Sequence, residues 1–176
     1  RMRLIDCVGY IVDGANGLTE DGEERMVMTP WSKEPMPFTQ AAEFGTQKVI
    51  HDHSTVGVVV TTDGSFGELE RGVYLEAEER TIRELKEIGK AFVVLVNSIH
   101  PYSEETINVV QEIRDKYDVE VMAVNASQLR KEDILEIMER ILRAFPVSQI
   151  EFNLPKWVEM LPNSHWLKAE LFEKVR

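Results

Sequence analysis

Small, polar and acidic side chains recur where the apolar runs of this chain stop. They stand at Asp6 to Gly9, at Thr61 to Gly64, at Asn97 and Ser98, and at Asn125 to Ser127. In open α/β sheets, ligands bind beyond the carboxyl ends of the strands. Carboxylate oxygens also suit the hard cation that accompanies a nucleotide. The composition of these strand ends indicates a nucleotide site, although polar strand ends occur in many folds.

The order of these motifs resembles that of Ras-like GTPases, which carry Asp-x-x-Gly, then Asn-Lys-x-Asp, then Ser-Ala-Lys. The resemblance implies two catalytic residues: Asp6 holds Mg²⁺, commonly through water, and the Gly9 amide meets the γ-phosphate. The alternative for Asp6 is a simple turn residue at the end of a strand. The later motifs imply a set of nucleotide-binding residues, namely Asn97, Ser98, Asn125, Ala126 and Ser127.

Two departures from the Ras-like pattern concern the base and the attacking water. Asn97 is followed by Ser98, Ile99 and His100, so the aspartate that grips the N1 and N2 hydrogens of guanine is absent. We therefore expect guanine preference to be lost. Tyr10 stands where many such enzymes keep a water-orienting glutamine, so other groups are expected to position the water.

The phosphate-binding motif G-x-x-x-x-G-K-[ST] occurs nowhere in the 176 residues. The Gly-Lys pair that is present, Gly89-Lys90, is followed by alanine and opens an apolar run instead of a helix. We therefore expect the chain to start at the third strand of a P-loop domain, with the phosphate loop upstream. The strand leading into that loop would lie between "RLIDC" and "TVGVVVT".

The elements that must position these residues alternate between strands and helices. Apolar runs in "RLIDC", "TVGVVVTTDG", "KAFVVLVNS" and "DVEVMAVNAS" predict strands buried on both faces. Helical spacing of apolar residues predicts helices over 38–54, 76–88, 104–117 and 131–145, with Ser103 as an N-cap. This alternation predicts an α/β fold with a three-layer, mostly parallel sheet.

Two parts of the chain depart from this alternation. Residues 13–38 form a long stretch rich in glycine and proline, which is typical of a functional or mobile loop. After residue 146 the pattern changes to a strand followed by short helices. We therefore expect residues 1–146 to be the C-terminal part of a nucleotide-hydrolysing domain, and residues 147–176 to start a linker or a following domain.

Composition narrows the class of protein further. The net charge of −11 argues against a nucleic-acid partner. Cys7 is the single cysteine, which excludes an intramolecular disulfide, and its apolar surroundings predict a small core residue. No apolar run approaches the ~18–20 residues that span a bilayer. His51 and His53 flank Asp52, but no further metal ligands stand nearby in the sequence.

Longer stretches of the chain resemble the stage IV sporulation protein A family of endospore-forming bacteria. They are "RLIDCVGY", "MVMTPWSKEPMPFTQAAEFGTQKVI", "HSTVGVVVTTDGS", "EAEERTIRELKEIGKAF", "VNSIHPY" and "NLPKWVEML", and they cover nearly all of the chain. The resemblance implies a P-loop domain of the translation-factor-related GTPase class that uses ATP with Mg²⁺. It also implies that ATP hydrolysis drives polymerisation into the basement layer of the spore coat.

The same resemblance implies the partners and the location. The partners would be further copies of the protein, a small amphipathic membrane-bound peptide and other coat proteins. The location would be cytoplasmic, on the mother-cell side of the forespore outer membrane. Two alternatives stay open: a regulatory GTPase, and an assembly module without nucleotide turnover. For the assembly module, the candidate surface is "MTPWSKEPMPF", with Trp31, Met36 and Phe38, unless these side chains simply pack over the sheet.

Overall fold

The structure, a computed structural model, describes residues 3–145 and 153–175. The chain divides into two compact units, residues 1–146 and residues 147–176. Among the described residues, no helix is both long and apolar enough to cross a membrane.

Two short antiparallel hairpins occupy the region before the first helix. Strand β1 (Thr19–Glu20) pairs with β2 (Glu23–Glu24), and β3 (Met26–Val27) pairs with β4 (Met36–Pro37). The Asp-Gly pair between β1 and β2 has positive φ angles of 52° and 83°, which favour a tight hairpin turn. The glycine-rich stretch that the sequence marks as a long loop is therefore partly ordered.

The predicted strand in "RLIDC" is wrong, because residues 3–10 contain no strand. Leu4 is 84% exposed and Ile5 is 43% exposed. Cys7 is also exposed, so its assignment to the core is wrong as well. A strand needs a neighbour to pair its backbone N–H and C=O groups, and the described residues place none beside this segment.

A three-stranded parallel sheet forms the core of the first unit. It consists of β5 (Gly57–Thr62), β6 (Phe92–Asn97) and β7 (Val121–Val124), in the order β5-β6-β7. These strands confirm the three later strand predictions. Since all three run in the same direction, their carboxyl ends meet at one edge of the sheet, where the polar residues follow.

Helices cover both faces of this sheet, as the alternating pattern predicts. Helices α2 and α3 pack on one face through Ile82, Leu85 and Ile113, and α4 packs on the other through Ile141. Ser103 caps α3, since its Oγ accepts a hydrogen bond from the Thr106 amide. The helices of the unit are α1 (Phe38–Lys48) with a π-helical turn (Val49–His53), α2 (Leu75–Glu87), α3 (Glu104–Tyr117) and α4 (Lys131–Ala144), with 3₁₀ turns at Arg71–Tyr74 and Ala126–Gln128.

Strand β5 lies at an edge of the sheet, and in residues 3–145 no strand pairs with its outer side. The Val58 and Val60 side chains lie on the face of the sheet on which α4 packs against β6. They are nevertheless 42% and 62% exposed, so α4 does not bury them. Burial on both faces, predicted for this run, is therefore wrong for β5. The strand retains backbone groups and apolar side chains that another strand and helix could cover.

The second unit contains two short helices in its described part, α5 (Lys156–Glu159) and α6 (Trp166–Val175). They confirm the short helices expected in the stretch after residue 146. The strand expected before them falls within 146–152, which lies outside the described residues.

Candidate functional site

The ends of β6 and β7 bring four of the predicted nucleotide-binding residues together. The Asn97 Oδ1 atom accepts a hydrogen bond of 2.9 Å from the Ala126 amide. Asn125 Oδ1 accepts from the Ser127 amide at 3.2 Å and from its hydroxyl at 2.7 Å, and Asn125 Nδ2 donates to the Ile99 carbonyl at 3.4 Å. These contacts join the two loops into one polar edge.

The fifth predicted residue, Ser98, lies inside the protein. It is fully buried, and its amide donates to the Val124 carbonyl at 2.9 Å. Its hydroxyl lies 3.0 Å from the Thr106 hydroxyl and accepts from the His100 amide at 2.9 Å. In this conformation the buried Ser98 side chain binds the backbone of the loop that follows β6, and it is not accessible to a ligand.

Asp63, which belongs to one of the polar strand ends but is not among the predicted site residues, lies beneath this loop. Asp63 Oδ1 accepts from the Ser65 amide at 2.9 Å, and Asp63 Oδ2 accepts from the Thr106 hydroxyl at 2.7 Å. Burial alone would raise the pKa of Asp63, but hydrogen bonds from the Ser65 hydroxyl and its other donors outweigh burial and lower the pKa to about 2. Asp63 is therefore ionised at neutral pH.

Sequence signals for this network exist but are short. The stretch "TTDGS" places an aspartate and a serine on one tight turn, where Gly64 adopts a φ of 90°. Ser103 and Thr106 have the spacing of a helix cap. Neither signal alone indicates that the two turns meet across the strand ends, because that contact depends on the order of strands in the sheet.

Gly9 and Asp6 lie in a different environment from the Asn97 edge. The Gly9 amide donates to the buried Thr46 hydroxyl of α1 at 3.0 Å, and Gly9 has a φ of 83°. Asp6 is exposed and makes no hydrogen bond with any described residue. Within residues 3–145, no hydrogen bond joins these two predicted catalytic residues to Asn97 or to the loop after β7.

An apolar cavity of about 350 Å³ lies beside Asp6. Trp31 lines it, and the Trp31 ring also packs edge-on against Phe44, with ring centroids 5.4 Å apart. The cavity is lined by the N-terminal segment, the β3 region and α1, namely Asp6, Cys7, Val8, Val27, Met28, Thr29, Pro30, Trp31, Phe38, Ala41, Ala42, Gly45, Lys48, Val49 and His53.

Tyr10 is bound to α2. Its hydroxyl donates to the Glu84 carboxylate, and the Arg80 guanidinium lies 4.2 Å from the centre of its ring. Burial and the Glu84 contact raise the pKa of Tyr10, so the phenol stays protonated. The Tyr10 phenol is therefore engaged with α2 in this conformation, which agrees with the expectation that other groups position the attacking water.

The lysine of the Gly89-Lys90 pair has a structural role. Its Nζ atom donates to the Ser54 carbonyl at 2.7 Å and to the Ile50 carbonyl, at the end of the π-helical turn after α1. A cation at a helix C-terminus is favourable there. The pair therefore lies in the connection between α2 and β6, and it forms no phosphate loop.

The donor groups fit Mg²⁺ and ATP only in part. The Asp6 carboxylate, which has no hydrogen-bond partner within residues 3–145 and 153–175, could hold Mg²⁺ through water. Asp52 is paired with Lys48 at 2.9 Å, and His51 with Glu84 at 3.1 Å, so they do not form a metal site. Among the described residues, no group of three or more His, Cys, Asp or Glu side chains could hold a metal ion.

Family models match the chain over its whole length. Residues 1–146 match the model described as "Stage IV sporulation protein A, ATPase domain", and residues 147–176 match "Stage IV sporulation protein A, middle domain". No solved structure matches the chain.

Curated relatives agree with the family models. The chain is 48% identical over 175 residues to stage IV sporulation protein A from Bacillus subtilis (strain 168) and 49% identical over 176 residues to that from Clostridioides difficile (strain 630). The matches cover 99% and 100% of this chain but 36% of each relative, so the chain spans about a third of their length.

Proposed function

We propose, on the premise that this chain belongs to the stage IV sporulation protein A family, that residues 1–146 are the base-binding and metal-binding part of an ATPase domain. The observation that carries the proposal is the joined polar edge at the ends of β6 and β7. There, Asn97 Oδ1 accepts from the Ala126 amide, beyond the carboxyl ends of a parallel sheet. This is where nucleotides bind in open α/β folds.

The proposed fold is a P-loop domain of the translation-factor-related GTPase class. The open outer edge of β5 and the exposed Val58 and Val60 support it, because they leave room for one more strand and a covering helix. We propose that this strand and the phosphate loop come from another part of the full-length protein. Asp6 would hold Mg²⁺ through water, and the Gly9 amide would contact the γ-phosphate.

The proposed substrate is ATP. Guanine offers N–H donors at N1 and N2 and needs a carboxylate opposite them, whereas residue 100 is histidine. A site without that paired acceptor loses its advantage for guanine, since unpaired polar groups cost binding energy. When bound, Mg²⁺ would neutralise the charge that develops on the transferred phosphoryl group.

The relatives are sporulation proteins by name, which supports a role for this chain in sporulation. We extend the proposal, on the family resemblance, to hydrolysis-driven polymerisation that forms the basement layer of the spore coat. The partners would be other copies, a small amphipathic membrane-bound peptide and other coat proteins. Assembly would take place in the mother-cell cytoplasm, on the forespore outer membrane.

Phosphate release and sedimentation of the full-length protein together test this function. With ATP and Mg²⁺, the protein should release phosphate and pellet as polymer. With GTP, both signals should stay near those of a sample without nucleotide. Pelleting that is equal with and without ATP would contradict coupling between hydrolysis and assembly.

An assembly surface without nucleotide chemistry is the second candidate. Trp31 is 51% exposed and Met28 is 64% exposed beside the cavity of about 350 Å³, so an apolar partner could bind there. If assembly depends on this surface alone, Trp31→Ala should abolish pelleting in the full-length protein while leaving phosphate release unchanged.

A further inference from the structure

We infer that Asp63 is a positioning residue for ATP, because its carboxylate fixes the loop that follows Asn97 through two relays of hydrogen bonds. The inference rests on the proposed function, since it assigns a task to Asp63 at that same site. Asp63 itself lies beneath the loop, which separates it from the polar edge formed by Asn97 and Ala126.

The first relay runs from Ile99 to Asp63 through one hydroxyl. The Ile99 amide donates to Ser65 Oγ at 2.9 Å, and Ser65 Oγ lies 2.5 Å from Asp63 Oδ1. An ionised carboxylate only accepts hydrogen bonds, so the single hydroxyl proton of Ser65 must point to Asp63. The Ser65 lone pairs are then directed at the Ile99 amide.

The second relay runs from His100 to Asp63 through two hydroxyls. The His100 amide donates to Ser98 Oγ at 2.9 Å, Ser98 Oγ lies 3.0 Å from Thr106 Oγ1, and Thr106 Oγ1 lies 2.7 Å from Asp63 Oδ2. The Thr106 proton is committed to Asp63, so Ser98 must donate to Thr106 and accept from His100. Ser98 and Thr106 are both fully buried, which shields this relay from water.

One negative charge therefore sets the direction of the hydroxyl hydrogen bonds in both relays, and the backbone amides can only donate. Two successive backbone amides, those of Ile99 and His100, are held toward the same carboxylate. The preceding residue, Asn97, is held by the Ala126 amide on its Oδ1 atom, and Asn97 Nδ2 makes no hydrogen bond within residues 3–145. The rigid loop thus keeps an amide donor available at the edge where the base is proposed to bind.

The test is Asp63→Asn in the full-length protein, assayed for ATP hydrolysis with Mg²⁺. Asparagine keeps the shape of the side chain but presents an N–H where Ser65 or Thr106 now donates, so at least one relay must break. We expect KM for ATP to rise by about 5- to 20-fold, since ordered hydrogen bonds are lost from the loop. The kcat at saturating ATP should change less than about twofold, because the loop contacts the base end and not the reacting phosphate.

Three further variants separate positioning from a general loss of stability. Thr106→Ser keeps the hydroxyl of the second relay and should keep KM, whereas Thr106→Val keeps the shape, loses the hydroxyl and should raise KM. Ile113→Val removes a methylene group from the fully buried face of the same helix, away from both relays. It should lower the thermal midpoint without changing KM.

The possible outcomes distinguish a failure of this inference from a failure of the proposed function. Wild-type protein that neither binds nor hydrolyses ATP would overturn the proposed function and this inference together. Wild-type activity with an unchanged KM in Thr106→Val and Asp63→Asn would overturn only the positioning role. A KM for ATP that rises in Ile113→Val as much as in Asp63→Asn would also overturn the positioning role. If Asp63→Asn does not fold, the comparison of Thr106→Ser with Thr106→Val tests that role.

Discussion

At the scale of single residues, the Gly9 amide has two competing acceptors, the Thr46 hydroxyl and the proposed γ-phosphate. Its single N–H group can donate to only one of them at a time. In this conformation it donates to Thr46 Oγ1 at 3.0 Å. Contact with a γ-phosphate would require the same N–H group. ATP binding is therefore expected to break the bond to Thr46 and to release residues 6–10 from α1.

Thr46→Val should consequently increase the affinity of the full-length protein for ATP. Valine keeps the shape and removes the acceptor, so a bond worth about 0.5–1.5 kcal/mol no longer opposes phosphate contact. We expect Kd to fall by about 2- to 10-fold in a titration with ATP and Mg²⁺. Thr39→Val on the same helix is the control, because its hydroxyl bonds Glu24 instead. Weaker ATP binding by Thr46→Val would show that the Gly9 bond does not oppose phosphate contact.

Asp6→Ala should lower ATP hydrolysis far more than it lowers stability. The carboxylate is exposed and has no hydrogen-bond partner among the described residues, so its loss leaves no buried group unsatisfied. Loss of the Mg²⁺ contact should reduce phosphate release by about 10-fold or more and should also block polymerisation. Asp52→Ala, which removes an exposed carboxylate paired with Lys48, should leave turnover unchanged. If Asp6→Ala and Asp52→Ala hydrolyse ATP at the same rate, Asp6 does not hold Mg²⁺ and is only a turn residue.

At the scale of elements, Lys90 ties the end of α1 to the start of β6. Its Nζ atom donates to the carbonyls of Ile50 and Ser54 at a helix end, and the Ile50 carbonyl also accepts from the Ser54 hydroxyl at 3.1 Å. This bond links the part of the chain that carries Gly9 and Thr46 to the sheet that carries Asn97.

Lys90→Met should loosen this connection without removing any apolar packing. Losing the partner of the partly buried Ser54 carbonyl costs about 1–3 kcal/mol. We expect faster amide hydrogen exchange at residues 49–54 and a lower thermal midpoint than in Lys33→Met, whose lysine is exposed. Unchanged exchange at residues 49–54 would mean that water replaces the Lys90 contacts at no cost.

The sequence predicts an element correctly where the element depends on a local pattern of residues. It fails where the element depends on a neighbouring strand or on a contact with a distant turn. The apolar runs of β5, β6 and β7 and the cap at Ser103 depend on local pattern, and they were predicted correctly. "RLIDC" has the same local pattern, but no neighbouring strand pairs with it among the described residues, so Leu4 and Cys7 are exposed. The Asp63 network was missed because it joins turns that are 34 to 43 residues apart.

At the scale of the whole molecule, the open edge of β5 decides how residues 1–176 should behave alone. Within residues 3–145 the outer edge of β5 has no paired strand, and such an edge with exposed Val58 and Val60 favours pairing with another chain. We expect this piece to bind ATP negligibly and to self-associate or exchange strands. Calorimetry at millimolar ATP, combined with light scattering, checks both expectations. Micromolar ATP binding by a monomer would mean that the assignment of the phosphate loop is wrong.

The central claim is an adenine-nucleotide site at the joined ends of β6 and β7. Displacement of a bound fluorescent ATP analogue from the full-length protein tests it most directly, with ATP and GTP as competitors at equal Mg²⁺. The absence of a carboxylate at residue 100 predicts that ATP displaces the analogue at least about 10-fold more effectively than GTP. Equal or more effective displacement by GTP would contradict the account.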